Sequence, residues 1–141
     1  MTRFVLDCSV TMGWCFEDEA DTYARNVLAS LVYSAAIVPA LWPLEVANVL
    51  LGAERRRRIG RADSARFLEL IGQLPVTVAA STDLQELPGL IALGRERGLS
   101  AYDTAYLRLA LQEGLPLATR DRGLRTAARA AGVPVFAPTA A

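Results

Sequence analysis

Five short apolar runs, each separated from the next by stretches of helical spacing, leave this chain few ways to fold. The runs are Arg3 to Leu6, Ala36 to Val38, Val76 to Ala79, Leu115 to Thr119 and Val133 to Phe136, and each has the length and flanking breaks of a buried strand. Helical periodicity fills the intervals. Ser9 to Phe16 predicts a short helix and Ala20 to Val32 a second; Trp42 to about Arg58 follows, with Pro43 acceptable in its first turn. Ile59-Gly60 breaks the pattern before Arg61 to Leu74 resumes it. Asp83 to Arg97 stops at Gly98 and holds two weak points, Pro88 and Gly89; Ala101 to Glu113 stops at Gly114, and Arg122 to Ala131 at Gly132. Strands alternating with helices imply an α/β architecture, one mainly parallel sheet covered on both faces. No repeat, linker or low-complexity segment interrupts it, and the Thr139–Ala141 tail is expected to fray.

At 141 residues and 52% hydrophobic, the chain predicts a single domain over 1–141. Folding at this size buries roughly 68–70% of the unfolded surface, enough for a core without disulfides or a structural metal. What is absent narrows the chemistry. There are 15 arginines and 15 acids but no lysine and no histidine. A Ser-His-Asp triad, a Cys-His dyad, a Schiff-base enzyme and a Walker-type phosphate loop therefore each lack an essential residue. Cys8 and Cys15, seven residues apart on a helix, stand about 10 Å apart along its axis, too far to bridge, and without histidine they cannot complete a zinc site. They read as small hydrophobes in a reducing compartment. Only Phe4, Val5 and Leu6 separate Arg3 from Asp7, far short of an export signal, and Ser34 to Gly52 carries Glu45 and two prolines and falls short of a membrane span. The expectation is a soluble cytoplasmic protein with no membrane partner. Zero net charge argues against a nucleic-acid coat protein but leaves room for a local basic track.

Carboxylates, arginines, hydroxyls and a few amides remain for chemistry, a donor set that suits oxygen-ligated hard cations. Ligands of an open parallel sheet bind outside the carboxyl ends of the strands, and Asp7 and Asp121 each stand where a strand gives way to a helix. Either also fits a helix N-cap, which does not stop it from serving as a ligand. Glu45 is harder to explain structurally. Between Ala35 and Leu51 it and Asn48 are the only strongly polar residues, three apart on one face of an apolar helix, where an ionised carboxylate is costly without a cation or donors. Asp103 has the spacing of a capping box with Ser100. Four carboxylates converging on one cleft repel one another and call for a divalent cation.

The motifs Asp7-Cys8-Ser9, Glu45-Val46-Ala47-Asn48, Tyr102-Asp103-Thr104-Ala105-Tyr106 and Thr119-Arg120-Asp121-Arg122-Gly123-Leu124, in this order, resemble those of the PIN-domain ribonucleases, specifically the VapC-type toxin of VapBC toxin-antitoxin pairs. The resemblance covers nearly the whole chain. It implies a three-layer α/β/α PIN-like domain with a mainly parallel central sheet of about five short strands. It further implies Asp7, Glu45, Asp103 and Asp121 as catalytic acids around Mg²⁺ or Mn²⁺, with Ser9, Asn48 and Thr119 in support. The implied activity is endonucleolytic cleavage of single-stranded or looped RNA, tRNA among the candidates. The implied partners are a VapB-type antitoxin, whose C-terminal segment lies in an apolar groove and blocks the site, and a second copy in a homodimer.

Metal-activated water needs no 2′-hydroxyl, so such an enzyme leaves 5′-phosphate and 3′-hydroxyl ends. Arg122, Arg125 and Arg129 fall on one face of the last helix and would contact phosphates, although a solvated face explains them equally. Arg55 to Arg58 with Arg61 lie at a helix C-terminus, where the macrodipole favours cations. Trp14 and Trp42 read as core. A catalytically silent PIN-like module that binds RNA or protein is the competing expectation. A receiver would need a lysine, and a phosphatase of the two-aspartate type an aspartate where Ser9 stands.

Overall fold

The structure is a computed structural model that describes residues 2–138, so the tail expected to fray lies outside the described residues. Its strands are β1 (Thr2–Leu6), β2 (Ser34–Val38), β3 (Val76–Val78) and β4 (Leu117–Ala118). Its helices are α1 (Cys8–Cys15), α2 (Thr22–Ser30), α3 (Trp42–Arg55), α4 (Arg61–Gly72), α5 (Leu87–Arg97), α6 (Ala101–Glu113) and α7 (Arg122–Ala130). All ladders are parallel and the strand order is β3-β2-β1-β4. Phe4, Val5 and Leu6 are each fully buried. Successive strand residues point to opposite faces, so both faces of β1 are covered, and the domain is a three-layer α/β/α sandwich. α6 packs on β1 between α5 and α7, while α1 contacts α2 and α3.

The sheet has four strands among the described residues rather than about five. Val133 to Phe136 pairs through one isolated parallel bridge, Leu117 to Val135, made by Leu117 N–H to Pro134 O at 2.9 Å and Phe136 N–H to Leu117 O at 2.8 Å. The next carbonyls in line are engaged by side chains: Tyr23 Oη donates to Phe136 O at 2.7 Å and Arg125 Nε to Thr119 O at 2.6 Å. β4 is shorter than expected, with Pro116 before it lacking an N–H. Phe136 still closes the core, its ring stacked on Phe4 at 4.1 Å.

Other boundaries differ for local reasons. Asp21 caps α2 by accepting from Ala24 N–H at 2.6 Å, so Ala20 lies outside the helix. α3 ends at Arg55, three residues early, because Arg57 adopts φ +57°. Pro88 sits in the first turn of α5, where its missing N–H is harmless, and a separate 3-10 turn, Leu84–Glu86, precedes it. Cys8 and Cys15 are free at opposite ends of α1, and burial pushes the Cys8 thiol up to about 12. Trp42 is buried and donates to Thr11 Oγ1 at 3.1 Å; Trp14, half-buried, donates to Ala24 O at 2.8 Å.

Candidate active site

Consecutive strands run from β1 to β2 to β3 in one direction, and β4 lies on the other side of β1. Such a reversal opens a crevice at the strand C-termini, here between β1 and β4. Asp7 leaves β1 at this point. Its N–H donates to Ala118 O at 2.9 Å, which fixes the residue against the end of β4. Its side chain makes no cap bond to α1. Instead Oδ2 accepts from Ser9 Oγ at 2.7 Å and from Thr119 Oγ1 at 2.7 Å. Each hydroxyl in turn accepts a backbone N–H, Ser9 from Arg120 at 3.0 Å and Thr119 from Asp121 at 3.1 Å. Two strand ends are thus tied to one carboxylate by donors spent entirely inside the site.

Glu45, in the first turn of α3, is half-buried, and its Oε1 accepts from Tyr106 Oη at 2.5 Å. Tyr106 is fully buried and lies three residues after Asp103, on the same face of α6. The Asp103 N–H donates to Ser100 Oγ at 3.1 Å, so Ser100 caps α6, but the Asp103 carboxylate itself makes no hydrogen bond among the described residues. Asp121 is exposed and caps α7 by accepting from Gly123 N–H at 3.1 Å. Asn48 is exposed.

Electrostatics ties the four acids together. Burial raises the Asp7 carboxyl above its ordinary value, against the bonds from Ser9 and Thr119, and the charge of Asp121 raises it further. Burial likewise raises Glu45, with Tyr106 pulling down and Asp7 and Asp103 pushing up. Asp103 is raised by burial, then by Asp7 and Asp121. Asp7, Glu45 and Asp103 therefore each feel at least one other acid of the set, with Asp7 as the hub. Among the described residues no three acids or cysteines close up into a ready-made metal site. An oxygen donor set suits Mg²⁺, which keeps several waters and takes only one or two carboxylates directly. The residues fit such an ion in chemistry and charge.

Two arginines near the site, Arg120 and Arg125, face inward. Arg120, whose role the sequence did not reveal, donates from Nε to Ser9 O at 2.8 Å and from Nη1 to Glu19 O, with Asp21 Oδ2 3.6 Å away. Arg125, besides holding Thr119 O, lies 4.5 Å over the Tyr23 ring. Arg122 and Arg129 are exposed. Tyr106 is the other residue whose role was missed; its i+3 spacing from Asp103 was the available signal.

Fold and site together define a parallel α/β domain with a carboxylate-centred crevice. The chain belongs to the PIN domain family, whose sequence model matches residues 4–130. PIN domains are typically nucleases, and those nucleases generally use divalent metals. Two solved structures share the fold. The structure of PAE2754 from Pyrobaculum aerophilum is 23% identical, with TM-score 0.67 over 89% of this chain and 86% of that one. The structure of FitAcB from Neisseria gonorrhoeae is 20% identical, with TM-score 0.61 over 96% of this chain and 97% of that one. Among curated proteins none matches the chain. No helix among the described residues is long and apolar enough to cross a membrane.

Proposed function

We propose that the protein is a Mg²⁺- or Mn²⁺-dependent endoribonuclease of the VapC toxin type, cutting single-stranded or looped RNA. The observation that carries the reading is the buried Asp7 at the β1–β4 crevice, held by two hydroxyls, its carboxyl raised by burial and further by the charge of Asp121. Asp7, Glu45, Asp103 and Asp121 would hold the cation. When bound, it supplies a more acidic water and neutralises charge on the phosphodiester. Ser9 and Thr119 hold Asp7 in place, and Tyr106 holds Glu45. Asp103, whose carboxylate makes no hydrogen bond among the described residues, is the acid free to take a proton from the attacking water. Asn48, exposed one turn after Glu45, supports from the rim. Arg122 and Arg129 face outward and would meet phosphates; Arg125 steadies the Thr119 end of β4.

An antitoxin and a second copy are the proposed protein partners. A groove of about 580 Å³ lined by Leu41, Leu87, Leu90 and Leu109, with an exposed Leu44 on its wall, supports this. The test is cleavage of a mixed tRNA and structured-RNA pool with Mn²⁺ or Mg²⁺, against EDTA and Asp103→Asn, with end-group analysis. Metal-dependent cuts leaving 5′-phosphates and lost in the variant are expected. Cyclic-phosphate ends would overturn metal-activated water as the nucleophile; no cleavage and no Mn²⁺ binding by folded protein would leave a silent binding module.

A further inference from the structure

A groove of about 530 Å³ runs between the end of α5 and the outer face of α7, lined by Arg97, Gly98, Leu99 on one side and Arg122, Gly123, Thr126 on the other. Both walls start beside the acids. Leu99 precedes Ser100, which caps the helix of Asp103, and Arg122 follows Asp121. Two guanidinium-bearing residues thus line one cleft that opens next to a carboxylate crevice.

Neither is fully satisfied by the described residues. Arg122 is exposed and has no ion pair among the described residues. Arg97 reaches the carboxylate of its own neighbour Glu96, Nη2 to Oε1 at 3.5 Å. Its Nε is shut from solvent and is the only buried side-chain nitrogen or oxygen among the described residues without a hydrogen-bond partner. A buried donor left without an acceptor is costly and favours any group that can supply one. A tetrahedral anion offers a guanidinium two oxygens at once, whereas Glu96 meets a single nitrogen, and Glu96 is the only acid among the described residues that line the groove. The small Gly98 and Gly123 keep the walls low, so a chain can lie along it.

We propose that this groove binds the phosphate backbone of the RNA strand flanking the cleaved bond, with Arg97 and Arg122 clamping one phosphodiester. The assignment rests on the ribonuclease reading and gives its substrate a path. An anion drawn toward four carboxylates needs a compensating cationic foothold beside them, and the groove supplies it where the Asp103 and Asp121 helices begin.

The test measures binding of a fluorescein-labelled oligouridylate to the full chain in EDTA over a range of salt. Arg97→Gln and Arg122→Gln should each weaken binding about tenfold. Each should also flatten the log–log salt slope by about 0.7, the signature of one lost phosphate contact on a single strand. Arg97→Lys should restore the slope and not the full affinity, since it keeps the charge but loses the fork. Arg25→Gln, an exposed arginine on α2, controls for bulk charge and should change neither. Unchanged affinity and slope in Arg97→Gln overturns the groove, as does an Arg97-dependent complex with a polyglutamate peptide and none with oligouridylate. Metal-dependent cleavage, scored separately, keeps the two readings apart. Cleavage with an indifferent Arg97→Gln sinks the groove alone, and Arg97-dependent binding without cleavage sinks the nuclease alone.

Discussion

Replacing Asp7 by asparagine should make the metal-free protein more stable while abolishing its chemistry. Asp7 is 6% exposed, and its Oδ2 takes both hydroxyl bonds. Asparagine keeps an acceptor at that place, so Ser9 and Thr119 retain their partner with neutral rather than charge-assisted bonds. That weakening costs about 1 kcal/mol per bond. Removing a buried charge returns more, because burial outweighs those bonds in setting the direction of the carboxyl's shift and Asp121 adds to it. The net gain is about 1–2 kcal/mol. For a domain of this length that raises Tm by about 3–6 °C in EDTA.

The pH dependence follows with a definite sign. A carboxyl raised on folding favours the protonated folded state, so its contribution is fully present below the ordinary value of 3.8 and is lost as pH climbs through the folded value. Wild-type stability in EDTA should fall over that interval, and Asp7→Asn should fall less. Mn²⁺ should reverse the order, raising Tm of the wild type more than that of the variant, while cleavage drops about 100-fold or more in the variant. Calorimetry at several pH values with EDTA or Mn²⁺ reads all of this. A lower Tm for Asp7→Asn in EDTA, or an unchanged pH slope, would refute the reasoning.

Tyr106→Phe removes the donor to Glu45 Oε1 without opening a cavity, and should cost about 10- to 100-fold in Mn²⁺-dependent activity with at most about 1–2 kcal/mol of stability, read by metal titration of the cleavage rate and by urea unfolding. Arg57→Gly frees a left-handed residue at φ +57°; relief of about 1–2 kcal/mol, less the extra chain entropy of glycine, should leave about 0.5–1 kcal/mol of stabilisation in chemical denaturation. Gly13→Ala places a Cβ 2.9 Å from Ala24 Cβ and 3.3 Å from Arg120 Cζ, so crowding outweighs the helix gain and unfolding should come about 1–2 kcal/mol sooner.

The layer architecture was legible because alternation of strand and helix is local. The fifth run failed as a strand for a reason local pattern does not contain. Its continuation is intercepted by Tyr23, 113 residues away, and its neighbour's carbonyl by Arg125. Of the candidate site, Asp7 was legible from its place where β1 gives way to α1, and Glu45 because an acid in apolar surroundings is costly. Their donors were less so. A tyrosine at helical spacing reads as core, and Tyr106 is core except for its hydroxyl. Spacing foresaw the Ser100 cap, yet only half the box forms, since spacing cannot say which way the Asp103 carboxylate points.

The absence of lysine bears on how the arginines should be read. A guanidinium can brace backbone and acid together through several planar donors, which an ammonium on a flexible stem does less well. Arg120 braces Ser9, Glu19 and Asp21; Arg58 pairs with Asp18 and Glu19 while lying 3.9 Å over Phe16; Arg108 holds Glu86 at 2.8 Å. Counting basic residues near the crevice therefore overstates what is available to a nucleic acid. Arg125 follows Arg122 by one helical turn, yet it is anchored inward and Arg122 is exposed. The distinction that matters for an RNA path is which guanidinium on the groove keeps donors the protein does not use, and that points to Arg97, whose Nε has no partner among the described residues, and to exposed Arg122 rather than to the face of α7 as a whole.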